Sequence, residues 1–193
     1  GQLGTGGCGF EQQLESAHRA LTTQSQPGGT NEGFLRDDSL IVIIFVTDED
    51  DCSASDPEIF NGARSDLPAL NVRCALSEDM LHPVSHYFDA ITRLRSHAGH
   101  FFVAAITGIP IDGSWNIGDS VEDLAALREI DPVNPNSISP SCDTGMGVAY
   151  PPVRIVDLVY QFGEYGYLSS ICRDDWSTTL NRIARRIQER LER

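Results

Sequence analysis

The sequence predicts an α/β fold: a parallel sheet with helices on both faces, in three layers. Two runs, Leu40-Ile41-Val42-Ile43-Ile44-Phe45-Val46 and Phe-Phe-Val-Ala-Ala-Ile-Thr at 101–107, are continuously apolar, as strands buried on both faces must be. Stretches with helical spacing alternate with these runs, and more than a dozen residues separate the strands, enough for right-handed crossovers. A chain of 193 residues, 40% hydrophobic, can bury one substantial core, so residues 1–193 are read as a single domain with loop insertions at about 52–80 and 110–150.

The elements follow in order. A glycine-rich opening at 1–9 leads into a helix over 10–21, where Phe10, Leu14, Ala17 and Leu21 recur on one face. Pro27-Gly28-Gly29 breaks the chain before the first strand, which ends at Thr47-Asp48-Glu49-Asp50-Asp51. Residues 52–80 are polar, with Pro57 and Pro68, and read as a long loop. Val84, Phe88, Ile91 and Leu94 form the apolar stripe of a helix over 84–97, with Pro83 in the first turn. The strand at 101–107 stops at Gly108 and Pro110. A short helix at 121–130 and a Pro/Asn/Ser-rich loop to 141 follow. A helix over 153–162 ends at Gly163, a short strand spans 167–171, and Trp176, Leu180, Ile183, Ile187 and Leu191 define a closing helix capped by Asp175 or Ser177.

Acidic residues outnumber basic ones 28 to 14, and every basic residue is arginine. A net charge of -14 argues against nucleic acid and anionic membranes as partners, since both demand a basic face, and is compatible with cations and basic proteins. Five arginines, Arg182, Arg185, Arg186, Arg190 and Arg193, share the closing helix with Glu189 and Glu192 and read as a solvated face. No apolar run approaches the roughly 18 residues of a membrane span and the stretch shows no signal-peptide pattern, so it reads as a processed or excerpted chain.

Cys8, Cys52, Cys74, Cys142 and Cys172 have neither C-x-x-C nor zinc-site spacing, so disulfides are the better reading. The economical pairings are Cys52 with Cys74 and Cys142 with Cys172, each contributing roughly 2 to 4 kcal/mol. Cys8 is left for an upstream segment or another chain, and the whole set indicates an extracytoplasmic location: secreted, periplasmic or on the outer cell surface.

Chemistry in an open α/β sheet gathers at the carboxyl ends of the strands, where residues 48–51 lie. Four adjacent carboxylates repel one another unless a hard cation, hydrogen-bond donors or arginines neutralise them; the alternative is a solvated acidic loop. The Gly4-Thr5-Gly6-Gly7-Cys8-Gly9 loop could present N–H groups to an anion, but it lacks the Gly-Lys-Ser/Thr of a phosphate loop and reads first as a tight turn. His82 and His86 are four apart near Glu78 and Asp79, yet the Glu a zincin needs is missing, and a surface capping role is the simpler reading. Trp115 is either an exposed recognition aromatic or the anchor of its loop. No Gly-x-Ser-x-Gly motif occurs.

Leu-Ile-Val-Ile-Ile-Phe-Val-Thr-Asp-Glu-Asp-Asp-Cys at 40–52 resembles the strand ending in Thr-Asp-Gly of von Willebrand factor A-like domains. Gly-Cys-Gly-Phe-Glu-Gln-Gln-Leu-Glu, Phe-Val-Ala-Ala-Ile-Thr-Gly, Pro-Pro-Val-Arg-Ile-Val-Asp-Leu and Ser-Ser-Ile-Cys-Arg-Asp-Asp are similar to stretches of a bacterial cell-envelope branch of that family, so the resemblance covers nearly the whole chain. It implies a Rossmann-like parallel sheet and a metal-ion-dependent adhesion site for Mg²⁺ or Ca²⁺. That site takes Asp-x-Ser-x-Ser after the first strand, a Thr from a second loop and an Asp from a third. Asp48 matches the third element, and Thr5 is the candidate for the second, although Cys8 stands at the register the family gives to Thr. No Asp-x-Ser-x-Ser occurs at the required place upstream of these elements. The resemblance therefore covers the C-terminal two-thirds of such a domain and implies that the first strands, the missing loop and the partner of Cys8 lie on a preceding segment or a companion polypeptide.

The leading expectation is an extracytoplasmic protein-binding or adhesion module, not an enzyme, with a divalent cation at Asp48. The alternative is a structural subunit of a surface assembly with a degenerate metal site. A third reading is a metal-dependent hydrolase built on His82 and His86.

Overall fold

The computed structural model describes residues 9–145 and 147–192; in chain order its elements are α1 (Gln13–Leu21), β1 (Ile41–Val46), α2 (Leu70–Leu76), α3 (Val84–Thr92), β2 (Phe101–Thr107), α4 (Val121–Ala125), β3 (Cys142–Thr144), β4 (Gly147–Ala149), α5 (Val153–Gln161), β5 (Gly166–Ser170) and α6 (Ser177–Leu191). β1, β2 and β5 form a parallel sheet in that order, Ile41 opposite Phe101 and Val103 opposite Gly166. The fold is thus α/β with a three-stranded parallel sheet flanked by helices, compatible with a Rossmann-like architecture.

β2 is buried along its whole length because it lies between two strands and two helical layers. On one face Leu14 and Leu21 of α1, Tyr87 and Ile91 of α3, and Ile155, Val156 and Val159 of α5 close over Ile43, Phe45, Phe101, Val103 and Ala105. On the other, Ile183 of α6 covers Phe102, Ala104 and Ile106. Each such large apolar side chain contributes about 1.5 to 3 kcal/mol by leaving water.

β1 departs from expectation. Its sequence is apolar on both faces, yet burial alternates: Ile41, Ile43 and Phe45 are inside, while Val42, Ile44 and Val46 are 37%, 45% and 55% exposed. α6 packs over β2 and β5 and does not reach across to β1, whose outer edge pairs with no strand among the described residues.

The segment 52–80 is also more than a loop. It contains α2 and short 3-10 turns, and Ile59, Met80, Leu81 and the Cys52–Cys74 disulfide form a small core of their own. Arg73 is buried at its centre and donates to the carbonyls of Pro68, Ile59 and Asn61 at 2.9 to 3.0 Å. A second disulfide, Cys142–Cys172, ties β3 to the turn after β5, and β3 pairs with β4 in a hairpin inside what the sequence shows as irregular chain. Two oxidised pairs suit an oxidising, extracytoplasmic environment. Among the described residues, no helix is long and apolar enough to cross a membrane.

Helix ends are shorter than the periodicity suggests. α3 stops at Thr92 and α4 at Ala125, and α1 begins at Gln13, leaving Phe10 to pack edge-on against Phe60, 4.9 Å between ring centres. At the head of α6, Asp175 accepts from the Ser177 N–H at 2.8 Å. The arginines of α6 are not simply solvated: Arg190 lies over the Tyr165 ring at 4.6 Å and Arg186 over Tyr167 at 5.6 Å.

Candidate functional site

The acidic run sits at the carboxyl end of β1, and its four members separate into two pairs with different tasks. Asp51 is 2% exposed and accepts from the Leu14 N–H at 2.9 Å, the Ser53 N–H at 3.0 Å and the Ser53 hydroxyl at 2.6 Å. Arg154 Nε donates to Asp51 Oδ2, the oxygen that also accepts from the Ser53 N–H, at 3.2 Å, while Nη2 reaches the His82 carbonyl at 2.8 Å. Burial pushes the Asp51 pKa up, and the Ser53 hydroxyl, Arg154 and the Leu14 amide pull against it without cancelling the rise. Asp50 accepts from the N–H groups of Arg154 and Ile155 at the start of α5, and from Arg128. It thereby takes the place of a local cap on a helix whose own N-cap, Pro152, supplies none. These two carboxylates hold α1, α5 and the loop after β1 together.

Asp48 and Glu49 are left to the surface. The Asp48 carboxylate has no hydrogen-bond or ion-pair partner among the described residues, and its main-chain oxygen accepts from the Tyr150 N–H at 2.8 Å. That link depends on the close passage of chains at Gly108, where a Cβ would come within 2.2 Å of the Tyr150 carbonyl. Beside Asp48, the Thr47 hydroxyl accepts from Gln13 Nε2 at 3.0 Å and lies 3.1 Å from the Glu49 carbonyl and 3.4 Å from Glu11 Oε2. Gln13 Oε1 is buried without a donor. Burial, reinforced by the charges of Glu11 and Asp48, raises the Glu49 pKa above the ordinary 4.5. Glu11, Asp48 and Glu49 thus form a mutually repelling edge. A cavity of about 260 Å³ opens beside it, lined by Glu11, Glu49, Asp50, the Cys52–Cys74 disulfide and Arg128. Carboxylate and hydroxyl oxygens gather along this edge, and the Gln13 amide oxygen near them is buried without a donor.

A second constellation lies farther along α1. Glu15 and His18, three apart, share a helix face and meet His86 of α3; one ligand atom from each lies within 4.8 Å of the others. Asp48 belongs to no such convergent group among the described residues. Burial acts to raise the Glu15 pKa, but hydrogen bonds from Arg19 and His18 outweigh it and the net direction is down. Burial and the neighbouring imidazoles of His82 and His18 lower that of His86. His82 does reach His86, with ring centres 4.8 Å apart and planes inclined by 18°. Stacked rings send their in-plane lone pairs in parallel, so these two do not converge on one ion as the hydrolase reading needs. His18 stands at 75° to His86 instead. His82 does not cap α3 either: the residue preceding the helix, Pro83, has no side-chain cap.

The remaining expectations fall as follows. Thr5 and Cys8 lie outside the described residues. Trp115 is 1% exposed, donates from Nε1 to the Ser120 carbonyl at 2.8 Å and stacks near Tyr160, so it anchors its loop. Sequence reading missed Glu11, Gln13, Glu15 and His18, although the i, i+3 spacing of Glu15 and His18 is a detectable helical signal. No family model, curated protein or solved structure matches the chain.

Proposed function

We propose that the chain is an extracytoplasmic protein-binding module of the von Willebrand factor A-like type, which engages its partner through the acidic carboxyl edge of the sheet with a divalent cation, Mg²⁺ or Ca²⁺, at Asp48. The observation that carries this reading is the division of the acidic run. Asp50 and Asp51 are consumed by arginines and helix N–H groups, whereas Asp48 and Glu49 stay beside Glu11 with no cationic partner among the described residues. An ion that keeps several of its waters and takes one or two carboxylates is the kind such an edge would hold. An acidic group or water-bridged donor of a partner would complete the coordination, so binding rather than bond cleavage is the activity assigned.

Calorimetric titration with Ca²⁺ and Mg²⁺ tests the reading. Affinity is expected to disappear in Asp48→Ala, and an unchanged affinity in that variant overturns the assignment.

A second reading, a structural subunit that joins a companion polypeptide, is favoured by β1: an unpaired parallel edge with Val42, Ile44 and Val46 exposed is the kind of surface that another strand covers. Intact mass with and without reduction tests for that companion, since one linked through Cys8 appears only without reductant; extensive burial against it with no bound ion favours this reading over the first.

A further inference from the structure

We propose that Glu15, His18 and His86 form a binding site for a divalent transition metal of the Zn²⁺ class, on the rim between α1 and α3 and separate from the acidic edge at Asp48. The ligand atoms come from two helices whose mutual position is fixed by the core: Leu14 and Leu21 of α1 pack in the same cluster as Tyr87 and Ile91 of α3. The Tyr87 ring stands nearly perpendicular beneath the His86 imidazole, centres 5.0 Å apart, and edge-on to His18 at 5.8 Å, so one buried aromatic underlies both imidazoles. Ligand atoms within 4.8 Å of one another need only small side-chain rotations to reach the about 3.4 Å separation of donors around a tetrahedral ion with metal–ligand distances near 2.0 Å.

Chemistry of the donors chooses the ion. Two imidazoles and one carboxylate favour Zn²⁺, Cu²⁺ or Ni²⁺ over Mg²⁺ or Ca²⁺, which take oxygen ligands. Glu15 is already oriented as a ligand: Oε1 accepts from Arg19 Nε, leaving Oε2 toward His18 Nδ1 at 3.3 Å. Arg19 is therefore a positioning residue, holding the carboxylate from outside as the second layer of a metal site does. Three protein ligands leave a fourth position for water or an exogenous donor, and His86 is exposed, which gives the ion a path in. His82, stacked on His86, buttresses that ring without sharing the ion.

The site is independent of the proposed cation at Asp48, and its test is arranged to keep the two apart. Zn²⁺ affinity of the metal-free protein is measured by competition with a chromophoric chelator, and Co²⁺ is used to read the coordination sphere from its visible absorption. His18→Ala and His86→Ala are each expected to weaken Zn²⁺ binding by about a hundredfold, at or above the upper end of losses caused by removing outer-layer partners. His82→Ala and Asp48→Ala should stay within a few-fold of the parent. Glu15→Gln, which keeps shape but removes the charge, should weaken binding and alter the Co²⁺ spectrum. Unfolding temperatures without metal identify any variant that fails to fold; because His86 is exposed, its variant is expected to fold normally. Zn²⁺ affinity unchanged in either His18→Ala or His86→Ala, or no measurable Zn²⁺ binding by the parent, overturns the site.

Discussion

Asp51 and Arg154 show how one buried pair organises the end of the sheet. Its carboxylate joins α1 through the Leu14 amide and α5 through Arg154, and Arg154 carries the link on to the His82 carbonyl before α3. Arg154→Met should destabilise the protein by about 3 to 5 kcal/mol at neutral pH, because it strands a buried carboxylate. The additional change Asp51→Asn should recover part of that loss. Urea unfolding of the two single variants and the double variant measures the coupling. Glu49 makes the opposite case. Its pKa is raised in the folded state, so the native protein holds this proton to higher pH than the unfolded chain does. The resulting stability is present below the ordinary value of 4.5 and is lost as pH rises through the folded pKa, where Glu11, Asp48 and Glu49 are all charged. Glu49→Gln should therefore raise the melting temperature at pH 7 and have no effect near pH 3.5. Ca²⁺ should raise it for the parent at pH 7 and lose that effect at the lower pH, as scanning calorimetry at both values would show.

Among the elements, the segment 52–80 owes its order to a few identifiable supports. Its small core has four buried apolar residues, and beyond that the segment depends on Arg73 and the Cys52–Cys74 bond. Replacing both cysteines by serine should cost roughly 3 kcal/mol, the chain-entropy value for a loop of this size, with hydrogen exchange accelerated selectively in α2. Arg73→Ala should cost about 1 to 3 kcal/mol, since it leaves the Ile59 carbonyl without a donor in the segment's interior. Either change should also open the cavity beside the acidic edge, whose wall includes Cys52 and Cys74. α6 behaves differently: Ile183 seats it on β2, and Arg186 and Arg190 lie along aromatic rings of the β5 side, so its arginines add packing as well as charge.

Across the whole molecule, β2 is the axis and β1 the open margin. Amides of β2 should be the slowest to exchange in native-state hydrogen exchange. Alternate amides of β1, which face away from β2, should exchange far sooner and become protected only when a partner strand is added.

Much of this architecture is written in local patterns. Period and composition locate β1, β2, α1, α3, α5 and α6, because an apolar run or a 3.6-residue stripe needs a buried surface wherever the chain places it. The short Cys52–Cys74 and Cys142–Cys172 loops, the acidic stop after β1 and the cation-favouring charge are likewise properties of neighbouring residues and of sums over the chain. What depended on assembly is which charges are neutralised and which side chains meet. Charge alone does not say which of Asp48, Asp50 and Asp51 is neutralised, and the arrival of Arg128 and Arg154, more than seventy residues later, helps to separate them. His86 has His82 as its obvious partner along the chain and stacks on it, while the packing of α1 against α3 also brings it to His18 and Glu15. The apolar run of β1 predicts burial on both faces, and the placement of α6 over β2 leaves one of them open. The physical reason is the same in each case. Hydrophobic period is a short-range signal that survives any arrangement, whereas charge compensation and ligand convergence need groups within a few ångströms, and distance in space is set only when distant segments pack.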